Sequence, residues 1–364
     1  MKSKITNCYI HIPFCNTICS YCDFCKLYYD DKYINNYLSQ LEKEINSIYK
    51  GEELETIYIG GGTPSSLNIK ELERLFKILE VFNKSKDIEF TIESNFENID
   101  EDKLKLYKKY GINRLSFGLE SISKKNLDFL NRNISKEKIK KTIDMCRKLG
   151  FNNINVDLMY ALPTESIEDL KSDLDYIFSL DIEHISTYSL IIEDHTMLKI
   201  NNVKNISEDL DYEMYKLICT EMKKHNYEHY EISNFSKRGY YSNHNLCYWD
   251  NANYYGFGLG ASSYLDNKRI TNTRSINKYL EGNYLLETIE LNDRDLYEYE
   301  IMLNLRKADG ILISDFEDKY NCNLRSKFKE LLDDGLLVEV NGNIRIPEDK
   351  WYISNEIIVR MLED

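Results

Sequence analysis

No run of apolar residues in this sequence approaches the ~20 that a helix needs to cross a bilayer, which excludes a helical integral membrane protein. No export leader is expected either, because Met1-Lys2-Ser3-Lys4 runs straight into a short strand pattern. Positive charge is in deficit. The chain has 47 Lys and Arg against 61 Asp and Glu, a net charge of −14, which argues against a general nucleic-acid binder while allowing a local basic patch. Nine cysteines without an export signal point to a reducing cytoplasm rather than to a disulfide framework. The 364 residues, 42% of them hydrophobic, suffice for one large domain and one or two small ones.

From residue 5 to about 190, strand-like runs alternate with amphipathic stretches. The spacing predicts strands at Thr6–Ile12, Glu55–Ile59, Ile88–Glu93, Arg114–Gly118, Asn153–Leu158 and His184–Leu190. Between them, Tyr33, Ile34, Tyr37, Leu38, Leu41, Ile45 and Ile48 share one helical face. Ile69, Leu72, Leu75, Phe76 and Leu79 repeat the pattern, as do Ile139, Ile143, Cys146 and Leu149, with Gly150 as a stop. Six strand–helix units in series predict an α/β fold with a parallel sheet and crossover helices. Functional groups then belong at the C-terminal ends of the strands.

The segment Glu193–Ile206 reads as a linker, and Ser207 as the cap of a helix reaching about His225. An aromatic, Asn-rich stretch, Tyr227–Tyr264, follows. From about Leu291 the pattern changes: Ser314-Asp315-Phe316-Glu317 reads as a capping box, Leu324–Asp334 as a helix, and Asn341-Gly342 as a hairpin turn. That order is winged-helix-like. With 7 Lys and Arg against 12 Asp and Glu from Gly310 to Asp364, it is expected to pack on protein, not DNA. The predicted regions are 1–192, 193–290 and 291–364.

The chemistry centres on Cys15-Asn16-Thr17-Ile18-Cys19-Ser20-Tyr21-Cys22, a loop with no helical or strand period. Structural zinc takes four ligands, so a zinc site would need Cys25 as well. Three thiols suit a [4Fe–4S] cluster with one iron left open to a substrate or cofactor. Gly60-Gly61-Gly62-Thr63, after the second strand, forms a turn whose backbone can approach a ligand closely.

The C-x3-C-x2-C spacing, with aromatic Tyr21 before the third cysteine, resembles the radical S-adenosylmethionine (SAM) proteins. A narrower resemblance runs through Tyr9–Cys15, Cys22-Asp23-Phe24, Gly60–Ser65, Asn155–Pro163, Tyr230–Phe235 and His244-Asn245-Leu246-Cys247-Tyr248-Trp249, and extends to Ser354-Asn355-Glu356. These segments look like the HemW group, the haem-chaperone branch of the oxygen-independent coproporphyrinogen III oxidase-like proteins. The resemblance implies a partial (β/α)6 radical SAM barrel in residues 1–192, a haem-motif and accessory region in 193–290, and a smaller α+β C-terminal part with a winged-helix-like end.

It also implies roles. Cys15, Cys19 and Cys22 would ligate the cluster. Tyr9, Tyr21, Gly61, Gly62, Thr63 and Glu93 would contact SAM, and Glu120, Arg132, Asp157 and Ser189 match further SAM-type positions. Glu120 stands where Gln is usual, which adds a charge and removes an amide donor. Ordinary ion pairing is the alternative for Arg132 and Asp157. Cys25 departs from the oxidase pattern, and a buried free thiol is its expected state. His244, Tyr248 and Trp249 fit H-N-x-x-Y-W, linked to haem. There His244 is the expected iron ligand, Cys247 its rival, and the two aromatics a stacking surface. Ser262 replaces a usual His.

Cofactors and partners follow from the resemblance: a [4Fe–4S] cluster, SAM, haem and haem-recipient proteins, with a homodimer and peripheral membrane association compatible and no nucleic acid expected. The first functional reading is a haem-trafficking protein. The second is a coproporphyrinogen III dehydrogenase, which would turn propionate side chains into vinyl groups. A third is another radical SAM tetrapyrrole enzyme, such as a haem-opening methyltransferase.

Overall fold

The computed structural model describes residues 4–363. Six strands, β1 (Asn7–Ile12), β2 (Glu53–Gly61), β3 (Asn83–Asn95), β4 (Arg114–Glu120), β5 (Ile154–Tyr160) and β6 (His184–Ser189), lie side by side in chain order. Every neighbouring pair among them is parallel. Helices α1 (Asp31–Ile48), α2 (Ile69–Ile78), α3 (Glu101–Lys109), α4 (Lys136–Lys148) and α5 (Ile167–Ser179) make the crossovers. Their starts are capped as the side chains require: Asp30, Asn68, Asp100, Ser135 and Ser166 each accept a first-turn N–H. Ile34, Tyr37, Leu38, Leu41 and Ile45 of α1 are buried against the sheet, whereas Tyr33 and Ile48 sit at the exposed margins of that stripe.

The region after residue 192 extends the same sheet at both edges. Helix α6 (Glu208–Lys224), capped by Ser207, precedes β7 (Glu228–Glu231) and β8 (Asn234–Ser236), and β8 pairs antiparallel with β6. After a short helix α7 (Asn243–Trp249), β9 (Tyr254–Phe257) joins the other edge parallel to β1. Strands β10 (Ser262–Leu265), β11 (Lys268–Asn272) and β12 (Leu285–Glu290) continue outward to complete twelve. Buried Glu44 of α1 fastens this extension: it accepts from Gly258 N at 2.9 Å, Tyr279 Oη at 2.6 Å and Asn272 Nδ2 at 2.5 Å. One hydrophobic core therefore runs from Cys8 to Tyr279 without a break at residue 192.

Two local expectations are corrected. Glu193–Ile206 is not a free linker. It contains a helical turn, Met197–Ile200, with Leu198 buried in a small core with Leu130, Met159, Leu162 and Leu190, and Leu198 N donates to Ser20 O at 3.2 Å. The capping box at Ser314–Glu317 does not form. Ile311–Leu312 pairs with Asn343–Arg345, so the helix starts directly at Ile313, and Glu317 accepts from Leu324 N at 2.8 Å instead. The hairpin does turn at Asn341-Gly342, both residues at positive φ, and this C-terminal unit has its own core around Ile301, Phe316, Leu331, Trp351 and Met361.

Candidate functional site: a thiol-lined cavity over the parallel strands

Parallel strands buried on both faces should read as apolar throughout, yet here one face of each is polar. Thr91, Glu93 and Asn95 of β3 stand level with Arg114, Ser116 and Gly118 of β4. Ser116 and Gly118 stand level with Asn155 and Asp157 of β5, and those with His184 and Ser186 of β6. All of these but the fully buried Thr91 and His184 line a cavity of about 490 Å³. Its rim is the cysteine loop.

That loop is tied down from all sides. Leu27 N donates to Pro13 O at 2.7 Å and Tyr29 N to Cys15 O at 2.9 Å. Ser20 Oγ donates to Phe129 O at 2.8 Å, and Asn131 Nδ2 to Ile18 O at 2.9 Å. The glycine turn docks against its first residues: Gly62 N donates to Ile12 O at 2.8 Å and Thr63 N to Phe14 O at 2.9 Å. Thr63 Oγ1 reaches Cys15 Sγ at 3.4 Å. No side chain larger than hydrogen fits at 62, because a Cβ there would stand 2.7 Å from Pro13 O and 2.9 Å from Cys15 Sγ. Gly61 has φ of 117°, in the left-handed region that glycine tolerates.

Cys15, Cys19 and Cys22 all line the cavity. Burial raises each thiol pKa, that of Cys15 to about 11, so thiolates here need a positive centre beside them. Among the described residues no three His, Cys, Asp or Glu side chains close around a single ion. Thiols spread along a cavity rim suit a polynuclear iron–sulfur cluster better than one zinc ion. Cys25 does not line the cavity. Its side chain faces the other way, against Gly260 and Arg274, and its carbonyl accepts from His11 Nε2 at 2.7 Å.

The remaining predicted SAM positions divide. Tyr21, Gly61, Gly62, Thr63, Glu93, Glu120, Arg132, Asp157 and Ser189 line the cavity with the thiols, but Tyr9 does not. Tyr9 stands behind the wall, its hydroxyl 3.0 Å from His11 Nδ1 and its ring stacked on Tyr58, which does face in. Glu93 accepts from Tyr58 Oη at 2.8 Å and from Gly61 N at 2.9 Å, and burial raises its carboxyl to about 7. Glu120 has φ of 66° and accepts from Tyr21 Oη at 2.9 Å. Arg132 lies 3.7 Å from Glu120, donates to Gly118 O at 2.7 Å and reaches Cys19 Sγ at 3.9 Å. The extra charge of Glu120 is thus matched by Arg132 within the site. Ser189 donates to Asp211 at 2.6 Å, and Asp157 accepts from Asn155 at 2.9 Å. A second, more polar cleft of about 560 Å³ adjoins the rim and shares Thr17, Cys19, Asn95 and Arg132.

His244 is enclosed in this structure. The imidazole is 1% exposed, with Nδ1 2.7 Å from Thr56 Oγ1 and Nε2 2.8 Å from Tyr248 Oη. Its ring stacks on Tyr58, and burial lowers its pKa to about 3. Both nitrogens are engaged, so in this conformation neither is open to a haem iron. Cys247 is equally buried, and Trp249 lies under Arg306 rather than beside the cavity. Helix α7 plugs the barrel floor, its first N–H groups held by buried Glu89 at 2.9 and 3.0 Å. Only Asn245 of this motif faces the cavity.

A radical SAM superfamily model matches residues 9–177, and a HemN C-terminal domain model residues 291–351. The protein named heme chaperone HemW in Lactococcus lactis is 35% identical over 376 aligned residues, covering 100% of this chain and 99% of that protein. The chain belongs to the HemW family. The Bacillus subtilis HemW is 36% identical over 367 residues, 96% of this chain and 97% of its own length. The solved structure of coproporphyrinogen III oxidase (HemN) from Escherichia coli, a radical SAM enzyme, superposes with a TM-score of 0.86 at 22% identity, covering 99% of this chain and 90% of that one. It establishes the radical SAM fold. Membership of the superfamily implies a [4Fe–4S] cluster and SAM, and the donor set and glycine cradle fit both.

The HemW resemblance at the cysteines, glycines and Glu93 points to this cavity, whereas Tyr58, Arg114, Ser116 and Ser186 belong to no motif of that resemblance, and Asn155 and Asn245 stand in its motifs without an assigned role. The available signal was polar alternation within the strands, as in Arg114-x-Ser116-x-Gly118 and Asn155-x-Asp157.

Proposed function

We propose that this protein is a haem chaperone: it binds haem and delivers it to haem-dependent proteins, working in a reducing cytoplasm. The observation that carries this reading is identity of 35 and 36% along the whole chain to two proteins named heme chaperone HemW. The likeness to the oxidase rests on 22% identity and concerns the fold alone, so the dehydrogenase alternative draws no support from it.

In this reading Cys15, Cys19 and Cys22 hold the cluster. The turn Gly61–Thr63 and Glu93 receive the methionine end of SAM, with Tyr21, Glu120, Arg132, Asp157 and Ser189 around the rest. When bound, the cluster would supply one-electron chemistry toward the SAM sulfonium, given an external reductant. The chain's own groups do the remainder. Glu93 and Asp157, both held toward neutrality by burial, offer proton-sensitive acceptors for a cationic ligand. Thr63 and Arg132 steady Cys15 and Cys19.

Haem loading on the Asn243–Trp249 segment then requires that α7 let go of Thr56. No helix among the described residues is long and apolar enough to cross a membrane. The test is a haem titration of anaerobically reconstituted protein, with His244→Ala and Cys247→Ser alongside. Stoichiometric haem binding is expected. Failure of the parent to bind haem contradicts the reading.

A further inference from the structure

Below Glu93 the cavity floor carries a positive charge without a partner. Arg114 opens β4, its side chain lines the cavity, and the residue is 2% exposed. Its guanidinium is always protonated. Among the described residues it makes no ion pair and no side-chain hydrogen bond, and its Nε is buried and unpaired. Level with it on β3 is Thr91, fully buried, whose Oγ1 also lacks a partner. Inward-facing Glu93 is two residues on, so Thr91 points to the same side of the strand.

Among the described residues no carboxylate closes on this charge. Glu93 and Asp157 feel it, but neither forms an ion pair with it, and burial pushes both carboxyls toward the neutral form. His184 and His244 are held neutral beside it. Isolated buried charges are costly and are ordinarily paired. The Arg114 guanidinium faces the cavity, with the buried Thr91 hydroxyl level with it on the neighbouring strand, and its fork matches the planar, two-oxygen geometry of a carboxylate.

We propose that Arg114 and Thr91 form a carboxylate-binding site in the cavity floor, filled by the carboxylate of a ligand that enters past the cysteine rim. This rests on the reading of the chain as a SAM- and haem-binding protein, since both ligands bring carboxylates: SAM at its methionine end, haem in its propionates. The methionine end belongs with the cysteine loop and glycine turn at the rim, which leaves the floor to a propionate.

The experiment compares the anaerobically reconstituted full chain with its Arg114→Met, Arg114→Lys and Thr91→Val variants, with iron content and thermal midpoint checked for each. Each is titrated with haem and haem dimethyl ester, and with SAM and decarboxylated SAM. The parent is expected to prefer haem over its ester by tenfold or more. That preference should fall to near unity in Arg114→Met, partly in Arg114→Lys and several-fold in Thr91→Val, with the SAM pair unchanged. Collapse of the SAM pair instead assigns the same site to the methionine carboxylate. Preferences that are the same in parent and variants for both pairs overturn the site. Arg114→Lys and Thr91→Val keep the test decisive if Arg114→Met fails to fold. A parent that binds neither haem nor SAM overturns the functional reading and the site together.

Discussion

Gly62 and Cys15 are pressed together: a Cβ on residue 62 would stand 2.9 Å from the Cys15 sulfur. Gly60 is pressed instead against Glu93, whose Cδ would be 2.9 Å from a Cβ there. Gly62 therefore leaves room for the cysteine loop, and Gly60 for Glu93. Gly62→Ala is expected to lower iron from about four per chain, the content of one [4Fe–4S] cluster, by displacing the cysteine loop. Gly60→Ala should retain iron and lose SAM affinity. Iron and sulfide analysis with equilibrium SAM binding checks both. Equal iron loss in the two variants would contradict the division.

Cys25 faces Gly260 and Arg274, away from the thiols that line the cavity. Cys25→Ala should keep full iron and the parent's visible spectrum. Cys15→Ala, Cys19→Ala and Cys22→Ala should each lose the cluster. Loss of iron in Cys25→Ala would make it a ligand.

The strand order, the crossover helices and the cysteine loop were legible because each is written in contiguous residues. What escaped depended on distant partners. Arg114 only opens a predicted strand in the sequence, and its place beside β3 at the cavity floor appears in the fold. Glu193–Ile206 lacked periodicity, yet Leu198 finds a core made of residues from three other segments. The Ser314 box lost to a strand pairing that starts the helix two residues early. His244 stood in the expected motif, but burial and two hydrogen bonds close it. Sequence shows which residues are present, not whether their lone pairs are free.

Burial raises several carboxyls: Asp173 to about 6, Glu93, Glu120 and Glu231 to about 7, and Glu165 to about 8. Each binds its proton more tightly folded than unfolded. Their contribution to stability is complete below the unfolded carboxyl pKa and is lost as pH rises through the folded values. Above the pH at which the histidines of the unfolded chain titrate, so that buried neutral His11, His184, His229 and His244 no longer oppose the trend, the thermal midpoint of cluster-free protein should fall between about pH 7 and about pH 8. Glu165→Gln, away from the cavity, should flatten that fall and stabilise the chain at pH 8. A midpoint that rises over this range would contradict the assignment.

His244 joins Thr56 and Tyr248 in the barrel floor. His244→Ala leaves two buried hydroxyls without that partner and should destabilise the protein by about 1–3 kcal/mol. If haem loads on this segment, hydrogen exchange in Asn243–Trp249 should speed up when haem is added. Unchanged protection with haem bound would move the haem site elsewhere.

The most direct measurement of the central claim gives one anaerobically reconstituted sample, with SAM and reductant, two substrates in parallel. One is haem, followed by an apo-form haem protein whose recovered activity and spectrum report transfer. The other is coproporphyrinogen III, with vinyl products followed by chromatography. The expected result is haem transfer without protoporphyrinogen formation. Turnover of coproporphyrinogen with no transfer of haem would contradict it.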